Sequence, residues 1–74
     1  MTDTARIDFT LRGEHIALCD LLKLTGVADS GGQGKALAAS GEVKVDGEVE
    51  TRKTAKIRVG QRVECRGALI VVTG

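Results

Sequence analysis

Ser30-Gly31-Gly32-Gln33-Gly34-Lys35-Ala36-Leu37-Ala38-Ala39-Ser40-Gly41-Glu42-Val43-Lys44-Val45-Asp46-Gly47 reads as a capped short helix, a glycine stop and a strand entering a tight turn. Ser30 is the residue type that caps a helix by accepting a bond from a backbone N–H one turn ahead. Gly31, Gly32 and Gly34 each cost a helix about 1 kcal/mol relative to alanine. What they offer instead is bare backbone at a helix start, where unpaired N–H groups and the helix dipole favour an anion. Lys35, one turn in, can add its ammonium at the same place. Gly41 falls where a left-handed helix end excludes a Cβ. On the residues alone, a loose helix start without a ligand and a phosphate-sized anion site beside the strand of Lys44 stand equal.

Upstream, residues 6–12 alternate strictly, with Ile7, Phe9 and Leu11 on one side of a half-buried strand that Gly13 ends. In residues 14–24 the period changes. Ile16, Leu18, Cys19, Leu21, Leu22 and Leu24 form the wide apolar stripe of an amphipathic helix, stopped by Gly26. Asp20 and Lys23 stand on its other side, where a pair is worth a few tenths of a kcal/mol. The second helix, residues 31–40, is marginal in isolation and is expected to pack on the first through Leu37 and its alanines. This helix pair lacks the Arg, Asn or paired Gln array that reads base edges in DNA.

Downstream, residues 42–52 form a hairpin. A two-residue turn at Asp46-Gly47 would oppose Val45 to Glu48 and mix the faces. A three-residue loop, Val45-Asp46-Gly47, would oppose Lys44 to Glu48 and Val43 to Val49, and is the expected register. Residues 56–59 and 62–65 follow as strands with Ile57, Val59, Val63 and Cys65 on one face and Gly60-Gln61 turning between them. Arg58, Arg62 and Arg66 then face solvent. After a turn at Arg66-Gly67, residues 68–73 are apolar on both faces, which predicts an interior or covered strand.

The 74 residues make one expected domain, 1–74, near the lower limit for a core without staples. With 42% apolar residues and Phe9 the single aromatic, that core must be aliphatic. A net charge of +1 by itself says nothing about partners; its distribution does. Between Thr51 and Arg66, six cations (Arg52, Lys53, Lys56, Arg58, Arg62, Arg66) against Glu64 leave a local +5, whereas Asp3, Asp8 and Glu14 against Arg6 and Arg12 leave −1 in the first fourteen residues. One positive face is implied. Cys19 and Cys65 make no disulfide framework and read as buried thiols of a reducing compartment. Met1 to Ala5 is polar, unlike a signal peptide, and the longest apolar run, residues 68–72, is far too short to span a bilayer. A soluble, cytoplasmic protein is expected.

Catalytic chemistry finds no support. A nucleotide P-loop is excluded because Asp29 stands five residues before Gly34 and Ala36 follows Lys35. Gly31-Gly32-Gln33 also spells the tripeptide of peptide release factors, a three-letter match of little weight. His15 and Cys19, at i and i+4 with Cys65 as a third candidate, fall short of the four ligands of a structural zinc site; no metal or other cofactor is expected. Glu48 and Glu50 read as solvated charge balancing Lys44 rather than a catalytic pair, and neither Ser30 nor Ser40 has a nearby histidine to activate it.

Leu18-x-x-Leu21-Leu22, Ser30-x-x-Gln33-x-Lys35 and Gly41-x-Val43-x-Val45-Asp46-Gly47 together resemble the RNA-binding domain named after ribosomal small-subunit protein S-four. The same module is appended to pseudouridine synthases, tyrosyl-tRNA synthetases and a heat-shock protein of the large ribosomal subunit. The resemblance spans residues 16–65 and is similar to a small stand-alone bacterial member with an extra N-terminal strand. It implies an α+β class: two short helices packed on a small, mostly antiparallel sheet (the αL-type RNA-binding fold). RNA would lie on the second helix and hairpin. On that resemblance Ser30, Gln33 and Lys35 fall on the binding helix, Lys44, Asp46 and Gly47 on the strand and turn, and Arg52 and Lys53 on the basic run after them. Gly31 and Asp46 depart from the arginine and asparagine common in the family. The implied protein is a non-enzymatic monomer that binds structured RNA, ribosomal or transfer, and no membrane. Alternatives are an adaptor that docks a protein through a strand edge, or an accessory domain to a separately encoded enzyme.

Overall fold

A computed structural model describes residues 5–74. Residues 1–4, which carry most of the stretch read as unlike a leader, lie outside them. The chain runs β1 (Ala5–Thr10), β2 (Ile16–Ala17), α1 (Leu18–Leu24), α2 (Gly31–Ala39), β3 (Val43–Val45), β4 (Glu48–Val49), β5 (Lys56–Ile57), β6 (Arg62–Cys65) and β7 (Ala68–Thr73). Five strands form one sheet in the order β1-β7-β6-β3-β4, and β2 and β5 pair in a second, two-stranded sheet. Among the described residues only the β1–β7 pairing is parallel, so the α+β class and the mostly antiparallel sheet are as the sequence implies. No helix among the described residues is long and apolar enough to cross a membrane.

The alternation of β1 sets Ile7 beside Ile70 and Phe9 beside Val72 on the inner face. Strand β7, apolar on both sides, takes an interior place between β1 and β6. Both helices cover this inner face. Leu18, Leu21 and Leu22 pack with Leu37 and Ala38 against Val43, Val63, Ile70 and Val72, all nearly or wholly excluded from solvent. The core is aliphatic, with Phe9 half-buried at its margin. Cys19 and Cys65 are free and buried.

Several local expectations do not hold in the folded chain. Helix α1 starts at Leu18 rather than residue 14, because Ile16 and Ala17 are drawn into pairing with Ile57 and Lys56. Ile16 and Leu18 fit an alternating pattern as well as a helical one, so the period alone could not separate them. His15 and Cys19 therefore do not share a helix, and no cluster of three metal-binding groups occurs among the described residues. Leu24, counted in the apolar stripe, is 64% exposed; it stands about 200° around the helix from Leu22. Asp20 and Lys23 do not pair; the ion pairs among the described residues are Arg6–Asp8 and Arg52–Glu50.

The hairpin takes the two-residue turn. Val45 opposes Glu48 and Lys44 opposes Val49, with Asp46 at φ 52° and Gly47 at φ 87°. Two consecutive left-handed residues suit the twist of the strands they join. The face-matching that favoured the longer loop carries no weight here, because both β4 residues are exposed at the sheet edge. Lys44 finds its acidic neighbour in Glu64 of β6 instead of Glu48. Finally, the strand expected at residues 56–59 ends at Ile57 and belongs to the small sheet rather than to a hairpin with β6, leaving Val59 53% exposed.

Candidate functional site

The start of α2 is built by its own side chains. Ser30 Oγ accepts from the Gln33 N–H at 3.2 Å, and Gln33 Oε1 accepts from the Asp29 N–H, a reciprocal cap that satisfies two donors at once. The acceptors of Ser30 and Gln33 are thus spent inside the helix start. The N–H groups of Gly31 and Gly32 and the Gln33 side-chain amide keep no partner among the described residues. Lys35 is exposed and unpaired there. Beside it, Gly34 lies against α1 so closely that a Cβ would stand 2.8 Å from the Cys19 carbonyl oxygen.

Cys19 also ties in the basic loop. Helix α1 has no side-chain cap at Ala17. Its first N–H groups, Leu18 and Cys19, instead donate to the carbonyls of Ala55 and Lys53 at 2.9 and 3.0 Å. Lys35 and Lys53, distant in sequence, are each within one residue of a backbone contact to Cys19. The loop is braced further by the Ala55 N–H donating to the Arg52 carbonyl at 3.1 Å. Arg52, Thr54, Ala55, Lys56 and Arg58 line a shallow cleft of about 400 Å³.

Arg52 is oriented by Glu50. Its Nη2 and Nε donate to the Glu50 carboxylate at 3.0 and 3.1 Å, and its backbone N–H adds a third bond at 3.1 Å. These bonds, the side-chain ones first, hold the Glu50 carboxyl down at about 2 and push Arg52 above its ordinary value.

Lys44, Asp46 and Gly47 sit elsewhere. Because Val43 and Val45 face inward, Lys44 stands on the outer face of the sheet, away from the helices. A concavity of about 180 Å³ there includes Glu42, Lys44, Glu64 and Arg66, whose charges cancel. Burial, and then the Glu42 charge, push up the nearby Cys65 thiol. Asp46 points to its own scaffold: Oδ1 accepts from the Arg62 N–H at 3.0 Å and Oδ2 from Gln61 Nε2 at 3.3 Å. Gln61 Oε1 in turn accepts from the Arg58 N–H at 2.7 Å, so the hairpin turn and the loop of Arg58 are locked together. Of the sequence-derived site residues, the α2 segment that carries Ser30, Gln33 and Lys35 meets α1 through Gly34 at Cys19, and the loop of Arg52 and Lys53 is bonded to the same residue. The structure sets Lys44 on another face. Lys56 and Arg58 belong to the local +5 but not to the motif; pairing of β5 with β2 and the Arg58 N–H bond to Gln61 hold them at the cleft.

The chain matches the S4 domain over residues 9–73. It is 55% identical over 58 residues to YbcJ of Escherichia coli K12, named as a candidate RNA-binding protein, covering 78% of this chain and 83% of that protein. YbcJ of Shigella flexneri matches to the same extent. The solution structure of Escherichia coli YbcJ, described as revealing an ALFAL motif involved in RNA binding, superposes with a TM-score of 0.69 at 46% identity, covering 100% of this chain and 92% of that one. With the paired helices, the Asp46-Gly47 hairpin and a match spanning most of its length, the chain belongs to the S4 domain family.

Proposed function

We propose that this chain binds structured RNA, ribosomal or transfer, through phosphate and shape contacts, as a monomer in the cytoplasm and with no chemistry of its own. The observation that carries the reading is the meeting at Cys19 of two cationic elements, the α2 start with Lys35 and the loop with Arg52 and Lys53. Membership of the family and the naming of its relatives support RNA as the ligand. The manner of binding follows from composition. Modules that read unpaired bases stack them on aromatic rings, and here the single aromatic, Phe9, packs against the core. Lysines, arginines and helix-start amides remain, and these bind phosphates and shape. Lys35, Arg52 and Lys53 are the proposed phosphate contacts, with Ser30 and Gln33 holding the helix start and Asp46 and Gly47 the hairpin.

Titration against a folded ribosomal RNA fragment at several salt concentrations tests this. With about three phosphates neutralised, log K should fall against log salt with a slope of about −2 to −3. Lys35→Glu with Lys53→Glu should weaken binding to all sequences alike. A flat salt response, or an unchanged affinity in the double variant, removes the reading. The strand-edge adaptor has less to recommend it: β4 offers two residues, and the outer edge of β1 carries the Arg6–Asp8 ion pair, the kind of charge that discourages edge pairing.

A further inference from the structure

We propose that the cleft of Arg52, Lys56 and Arg58 holds a second phosphate group of the bound RNA, distinct from any held at the start of α2. This rests on the RNA reading above and extends it to Lys56 and Arg58, which neither the motif nor the resemblance marks.

The lining is the first argument. Three cations and Thr54 share one concavity, and no acidic side chain among the described residues lines it. The acid nearest in the chain, Glu50, is already engaged by Arg52. A guanidinium carries five N–H donors; Arg52 spends two on Glu50 and keeps three for a ligand, in an orientation Glu50 sets. Two guanidinium forks and an ammonium suit the several oxygens of a phosphate, which arginine meets bidentately and lysine as a point charge.

The walls supply the second argument, because they are held before any ligand arrives. Ala55 and Lys53 are tied to α1 through their carbonyls, Ala55 also to Arg52, and the Arg58 backbone to Gln61, whose amide is anchored on Asp46. A concavity braced on both sides binds with less ordering cost than a free basic loop. By contrast, the concavity on the outer sheet face mixes Glu42 and Glu64 with Lys44 and Arg66 and offers an anion no net attraction. The position of Asp46 fits this picture: as a carboxylate it accepts from both the Arg62 N–H and Gln61, which ties the hairpin to the Arg58 wall.

The test uses the full chain, labelled with nitrogen-15. Titration with pyrophosphate should shift the amides of residues 52–58 saturably, and Lys56→Gln with Arg58→Gln should abolish the shifts. In the RNA titration the same double variant should lower the magnitude of the salt slope by about 1. A control removing the same charge elsewhere, Arg6→Gln with Lys23→Gln, should leave the slope unchanged. Comparing one RNA hairpin with a 5′-phosphate and a 5′-hydroxyl end identifies the source: a slope change confined to the phosphorylated form assigns the cleft to a terminal phosphate, a change with both to a backbone diester. RNA binding whose slope is untouched by the cleft variant, or lowered equally by the control, overturns the cleft and leaves the RNA reading standing, as does a pyrophosphate titration without saturable shifts. Failure of the native chain to bind RNA at any salt overturns both.

Discussion

The two helices close their starts in opposite ways. Helix α2 does so locally, with Ser30 and Gln33 of its own first turn bonding backbone N–H groups a few residues away. Helix α1 has no such side chain and borrows the carbonyls of Lys53 and Ala55 from a loop far along the chain. Orphan donors at a helix start must be satisfied somehow, and the two solutions have different consequences. A local cap stabilises a helix and does nothing more. A borrowed cap also positions the lender, and here the lender is the most basic loop of the molecule. The α1 start is thereby a structural joint that fixes the loop of Arg52 and Lys53 to the same residue, Cys19, that Gly34 of α2 packs against.

Breaking the joint should cost most. At Gly34 an added Cβ would stand 2.8 Å from the Cys19 carbonyl oxygen and 3.3 Å from its Cα. Both are backbone atoms that cannot swing aside. Gly34→Ala gains about 1 kcal/mol of helix propensity, but an overpacked contact costs about 1–3 kcal/mol and backbone must shift to relieve it. The expected outcome is a net loss in urea denaturation, accompanied by altered amide shifts at Cys19 and Lys53. A stabilised variant would show that α1 and α2 tolerate separation at Cys19.

Ser30→Ala probes the local solution and should cost about 1 kcal/mol. Its amide shifts should be confined to the α2 start, with Lys53 and Ala55 undisturbed; spread into the loop would erase the contrast between the two caps. The smallest effect is expected from Glu50, and it depends on pH. Its folded carboxyl titrates at about 2 against an ordinary 4.5, so the Arg52 pair contributes fully above the ordinary value and its contribution fades as pH falls toward 2. Glu50→Gln should flatten that segment of an acid-denaturation profile while barely moving the midpoint at neutral pH, since the Arg52 side of the pair is largely exposed to solvent.

Much of the architecture was legible in short-range chemistry. Ser30, the glycine start and Gly41 mark α2 to within a residue, because capping and left-handed stops are decided by neighbours. The strict alternation through Ile7 and Phe9 marks β1, and the two-sided apolar run marks β7 as interior. Asp46-Gly47 carried the signal for a two-residue turn, yet the pairing rule applied to it assumed a buried face that an exposed, two-residue edge strand does not have.

The chain's own order of residues therefore determined the helix stops, the apolar faces, the aliphatic core, the absence of a stacking platform and the family. Tertiary structure alone decided that β1 closes beside β7, that Ile16 leaves its helix to pair with Ile57, that Lys44 faces away from the helices, and that Arg52, Lys56 and Arg58 surround one cleft. The physical reason is range. Caps, turns and alternation act over a few residues and leave their marks in adjacent letters, whereas the direction a charge faces depends on which distant strand or helix amide its backbone is bonded to.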